Sequence, residues 1–195
     1  AKTLQGKADT SVKADILNWL GTNHVASQID AVVAQMSAAD AEVALAAIKA
    51  AGKIGGDVAL ESLIAQLGGS HSDAAEKALL TFNGKVNAGV LKALDAEKNV
   101  KLPALRLASA RSMEESADKV FGLLSSSDAA VSEAAYAALA GVVEPKDFDR
   151  LAQLLEKGKQ VPALQQAMKN ALLSLSKEDQ LAKIQACMSK SAHVS

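Results

Sequence analysis

Cysteine, proline, aromatic residues and arginine are all scarce in this 195-residue chain, and each scarcity excludes something. A single cysteine, Cys187, leaves no intramolecular disulfide framework. One Trp, one Tyr and three Phe, with few β-branched runs, exclude a β-sandwich. Arg occurs only at positions 106, 111 and 150, so the Arg-rich basic face that nucleic-acid binding usually needs is missing. No apolar run approaches the ~18–20 residues that cross a bilayer, so no membrane span is expected. No basic-plus-apolar leader opens the sequence; any such segment is expected outside residues 1–195, and cytoplasm and periplasm both stay open. What is present is apolar and helix-favouring. Hydrophobic residues make up 49%, too many for intrinsic disorder, and Ala, Leu, Lys, Glu and Gln dominate. The 21 basic and 22 acidic side chains leave a net charge of −1, spread evenly along the chain. These features predict an all-α fold.

The apolar pattern repeats. Residues 40–69, DAEVALAAIKAAGKIGGDVALESLIAQLGG, place Val43, Ala47, Ile48 and Ala51 on one helical face. Gly52, Gly55 and Gly56 then break the helix, and Leu60, Leu63, Ile64 and Leu67 line a second one. Aligning the central apolar residue of each second helix gives Val32, Leu63, Leu91, Val120, Leu151 and Leu181, at spacings of 31, 28, 29, 31 and 30. Gly21, Gly52, Gly84 and Gly141 are expected to close first helices, with Ser112 and Ser174 in that place elsewhere. Asp9 with Thr10, Ser37, Ser72 and Ser126–Asp128 are N-cap candidates for first helices. Ser112-x-x-Glu115 and Ser176-x-x-Asp179 read as capping boxes for second helices. Pro103, Pro145 and Pro162 are expected in first turns, where a missing N–H costs little. The arrangement predicts one domain, a right-handed α-solenoid of about six helix–turn–helix units near 8–37, 38–69, 70–99, 100–127, 128–159 and 160–188. Residues 1–8 read as a lead-in and 189–195 as a tail.

Residues 40–69 and 128–145 resemble the short bacterial HEAT-like repeat, also named after phycobilisome lyases. Asp40, Val43, Ala47, Gly52, Ile54, Gly55, Leu63 and Leu67 match its pattern, as do Asp128, Val131, Ala135, Ala138 and Gly141. The resemblance covers roughly residues 8–188 and implies an armadillo-like helical-repeat fold rather than an activity. Where such repeats often carry Arg after the first-helix Val, this chain has Ala44 and Ser132.

Catalytic signatures are absent from the sequence. The di-iron hydroxylases of HEAT-like fold rely on His-Glu pairs, whereas His24, His71 and His193 precede Val, Ser and Val. The AGKIGG run at 51–56 lacks the Ser or Thr of a phosphate loop and reads as a hairpin turn. In Ser70-His71-Ser72-Asp73, a capped helix start explains residue types that a triad would bring together in space. Cys187 is expected to be a small buried hydrophobe, and Trp19, Phe82, Phe121, Tyr136 and Phe148 to fill core. No metal, cofactor or enzymatic activity is expected.

One pattern remains. Two residues before the aligned anchors stand Asp30, Glu61, Gly89, Asp118, Asp149 and Asp179. In HEAT-type solenoids second helices line the concave surface, so these acids could form a row along it. A carboxylate near a helix N-terminus is also favourable by ~0.3–1 kcal/mol through the helix dipole, which explains the same pattern structurally. The functional reading is a non-catalytic protein-interaction scaffold, a monomer or weak oligomer, whose acids receive a basic protein or peptide partner. The alternative is an accessory or spacer domain of a larger enzyme. A small-molecule groove is disfavoured by the shortage of aromatic residues.

Overall fold

In the computed structural model the described residues are 4, 6 and 8–191, with side chains described as far as Ser189. Of the lead-in, only Leu4, Gly6 and Ala8 are among them, and tail positions 192–195, with His193, lie outside. Two compact units divide the chain, Ala1–Leu107 and Ala108–Ser195.

Twelve α-helices and three short 3₁₀ turns, with no strand, make up the regular structure among the described residues. They alternate as first and second helices of six pairs: α1 (Thr10–Thr22) with α2 (Ile29–Val33), α3 (Ala41–Ile54) with α4 (Asp57–Gln66), and α5 (Ser72–Leu80) with α6 (Asn87–Ala93). Then follow α7 (Lys98–Ala110) with α8 (Ala117–Leu123), α9 (Ala129–Val142) with α10 (Phe148–Glu156), and α11 (Val161–Leu172) with α12 (Lys177–Ser191). The unit boundary falls in the last turn of α7. In the first unit α1, α3 and α5 pack side by side as one layer, and α2, α4 and α6 as another. In the second unit α9 packs on α8 and α11, and α10 on α11.

Two helix starts show how sequence sets this frame. Asp40 accepts hydrogen bonds from the N–H groups of Glu42 (2.9 Å) and Val43 (3.3 Å), and Asp128 does the same for Ala130 (2.9 Å) and Val131 (3.3 Å). Each carboxylate satisfies N–H groups that have no intrahelical partner. The cap of α3 is therefore Asp40 rather than Ser37. Ser72 is the first residue of α5, and its hydroxyl donates back to the Leu67 carbonyl at 2.7 Å. Ser112 adopts a left-handed conformation (φ 50°) and does not cap; the capping box of that type is Glu144 with Asp147, ahead of α10. At Ser176 and Asp179 one half of the box forms, the Asp179 N–H donating to Ser176 Oγ at 3.1 Å, while the Ser176 hydroxyl donates to Asp179 Oδ2 at 2.7 Å. Pro145 and Pro162 do sit in first turns, whereas Pro103 lies inside α7, because that helix starts earlier, at Lys98.

Gly21, Gly52 and Gly141 act differently from expectation. They lie within the last turns of α1, α3 and α9, where they let helices touch rather than stop. A Cβ on Gly21 would stand 2.7 Å from Ala50 Cα, one on Gly52 3.0 Å from Ala78 Cβ, and one on Gly141 2.1 Å from the Ser109 carbonyl oxygen. The turns themselves use left-handed residues beyond the helix, including His24, Gly55, Gly56, Gly84 and Ser112. The Gly55–Gly56 pair confirms the AGKIGG run as a hairpin turn.

Val32, Leu63, Val120 and Leu151 are fully buried anchors. The third pair is shifted by one residue: α6 turns Val90 inward, with Val86 and Ala93, and Leu91 is half-buried. The sixth anchor fails, because Leu181 is 56% exposed on α12, a helix with no buried side chain among those described. Cys187, on the same helix, is half-buried. Phe82, Phe121, Tyr136 and Phe148 fill core as expected, while Trp19, on the side of α1 away from Ala14 and Leu17, is 60% exposed.

Candidate functional site

Polar contacts between successive pairs recur at one sequence offset. In the first unit Thr10 Oγ1 donates to Asp40 Oδ2 (2.9 Å), His24 Nδ1 to the Lys53 carbonyl (2.6 Å), and Asn99 Nδ2 to the Gly68 carbonyl (3.0 Å). Because a carbonyl only accepts, His24 carries its proton on Nδ1. Arg106 bridges both carboxylate oxygens of Glu76, the shortest bond being 2.6 Å. In the second unit Arg150 donates to Asp118 (2.8 Å) and Asn170 to the Ala140 carbonyl (2.7 Å). Each partner lies 29–32 residues away, one helix pair along the chain.

The five acids do not share one setting. Asp30, Asp118, Asp149 and Asp179 occupy first turns of α2, α8, α10 and α12, where the helix dipole favours them. Glu61 sits in the middle of α4, whose first-turn acid is Asp57. Asp118, 95% exposed, is bound by Arg150, whose guanidinium also lies 3.7 Å from the centre of the Phe121 ring. A hydrogen bond to Glu144, foremost, and then the charges of Glu144, Asp147 and Asp118 hold the Lys146 pKa above the ordinary value. Around Asp118 the acid row is therefore met by cations from its own unit.

Glu61 has a different environment. It borders an open groove of about 820 Å³ between α4 and α6 and the start of α7, with Leu60, Ile64, Ala93 and Val100 on its walls. Asp57, Asp95 and Lys92 complete the charged rim. Three carboxylates against one ammonium give this groove an acidic border. Gly89, the position where the row has no acid, also lines it, and a Cβ there would meet the Leu60 side chain at 3.3 Å. A larger residue at 89 would need Leu60 to give by a few tenths of an ångström.

No protein-family profile matches the chain, and no curated protein is similar to it. One engineered protein of known structure is 19% identical, with a TM-score of 0.43, covering 87% of this chain and 94% of its own. A likeness at that level assigns no activity.

No cluster of three or more His, Cys, Asp or Glu suited to a metal occurs among the described residues, and no helix there is long and apolar enough to cross a membrane. The sequence pattern pointed to Glu61 but missed Asp57, Asp95 and the apolar walls. Asp57 was legible as the first residue after a double-glycine turn. Asp95 follows α6 and Val100 lies in α7, and only packing brings them to Glu61.

Proposed function

We propose that this chain is a non-catalytic protein-binding module whose α4–α6 groove takes a basic segment carrying an apolar side chain. The observation that carries this reading is the combination of apolar walls with Asp57, Glu61 and Asp95 outnumbering Lys92. Apolar contact would supply burial, and the carboxylates would orient Lys or Arg side chains and select against acidic competitors. Asp30, on the adjoining α2, extends the same field, whereas Asp118, Asp149 and Asp179 are secondary in this account. The HEAT-like α-solenoid belongs to the proposal too. The one-pair offset of the polar contacts and the layering of first and second helices support it. An accessory role within a larger protein uses the same groove and needs no separate mechanism.

The test is fluorescence anisotropy with a labelled peptide of repeated Lys-Lys-Leu. Binding is expected to weaken as salt screens the charges and to drop about tenfold or more in the Asp57→Lys, Glu61→Lys double variant, both side chains being exposed. Undiminished binding by a folded double variant would overturn the reading.

A further inference from the structure

The first-helix layer of the same unit has a groove of the opposite charge. About 440 Å³ in volume, it runs between α3 and α5, with Leu45, Ile48, Ala74 and Ala78 as its apolar surface. Lys49 and Lys53 on α3 and Lys77 on α5 stand around it, and no carboxylate lines it. Leu45, Lys49 and Lys53 follow one another at four-residue steps, so they form a single stripe along the helix. Leu45 is 44% exposed, whereas Val43, Ile48 and Ile54 of the same helix are buried. The close approach of Gly52 to Ala78 fixes the two helices against each other and so sets the groove's width. Thr22 of α1 takes a hydrogen bond from Lys53 Nζ at 3.3 Å, and Thr81 closes the other side. Next to it, a depression of about 370 Å³ shares Leu45, Ala74 and Lys77 and adds His71 and one acid, Asp73.

From this charge complementarity we infer a second docking surface, which takes an acidic protein segment with a leucine-like anchor beside its carboxylates. The anchor would lie against Leu45 and Ala74, and the carboxylates would meet Lys49, Lys53 and Lys77. A protein segment fits better than a nucleic acid, because the groove offers neither the aromatic platform nor the arginine that bases need. The inference is independent of the α4–α6 groove. If both hold, the module bridges one basic and one acidic partner through its two helix layers.

The experiment uses the full chain and a fluorescein-labelled peptide of repeated Glu-Glu-Leu. Saturable, salt-sensitive binding is expected, falling about tenfold or more in the Lys49→Glu, Lys77→Glu double variant. Leu45→Ser should weaken it as well, while the Asp57→Lys, Glu61→Lys variant should keep it intact. All the substituted side chains are exposed, and circular dichroism checks that each variant folds. The inference is overturned if the peptide does not bind, if the lysine reversals leave its affinity unchanged, or if an oligothymidylate binds more tightly with the same lysine dependence. Self-association of the chain that saturating peptide displaces, and that the lysine reversals abolish, would equally overturn it by assigning the groove to a second copy.

Discussion

A methyl group added at Gly141 would stand 2.1 Å from the Ser109 carbonyl oxygen, whereas one at Gly122 would meet nothing within 4 Å. Both glycines lie in helices, so intrinsic propensity favours alanine at each. Packing reverses that preference at 141, where the obstructing atom is backbone and cannot rotate away. Gly141→Ala is expected to destabilise the fold at the upper end of the ~1–3 kcal/mol typical of overpacking. Gly122→Ala is expected to stabilise it by about 0.5 kcal/mol, and urea denaturation measures both. The sequence placed Gly21, Gly52 and Gly141 near helix ends but suggested the wrong task for them. A glycine near a helix end reads as a stop, and only the neighbouring helix shows that it is a contact. Trp19 misled for a related reason: a large ring signals core by default, yet residues 14 and 17 turn the opposite side of α1 inward. Gly89 gains its meaning from Leu60, so Gly89→Leu should fill the α4–α6 groove without altering its charge and weaken Lys-Lys-Leu binding in the anisotropy assay.

At the scale of elements, caps and pairing carry the account. Asp128→Ala removes both capping bonds at the start of α9 and should cost about 1 kcal/mol, read from the thermal transition. Asp40 does the same for α3 and has a pH signature. The Thr10 hydroxyl, foremost, and then the Val43 N–H, the Glu42 N–H and the Lys13 charge hold its carboxyl below the ordinary value of 3.8. A depressed carboxyl pKa favours the folded state fully above the unfolded value, and that contribution is lost as pH falls through the folded value. Thr10→Val should therefore raise the Asp40 pKa toward 3.8, measured by carboxyl NMR titration. The six helix pairs were legible from the apolar period, because a buried face imposes the same spacing each time. There are two exceptions. In α6 a short helix seats Val90 rather than Leu91, and in α12 Leu181, Ile184 and Met188 share one helical face that stays exposed.

Across the whole molecule, stability is expected to be uneven. Helix α3 buries nine of its residues, from Val43 to Ile54, and touches α1, α2, α4 and α5, whereas α12 buries none among those described. Amide hydrogen exchange should therefore be slowest in α3 and fastest in α12. The sequence suggested one even run of repeats, and its acid row treated five carboxylates as equals. Side-chain partners break that equality, since Arg150 takes Asp118 while Glu61 borders an apolar groove. Charge spacing along a chain is blind to cations that arrive from a neighbouring helix. The most direct measurement is amide chemical-shift mapping while the Lys-Lys-Leu peptide is titrated into the full chain. The perturbed amides should cluster at Asp57, Leu60, Glu61, Ile64, Gly89 and Lys92. Shifts concentrated instead around Asp118 and Asp149, or scattered without a focus, would contradict the assignment of binding to the α4–α6 groove.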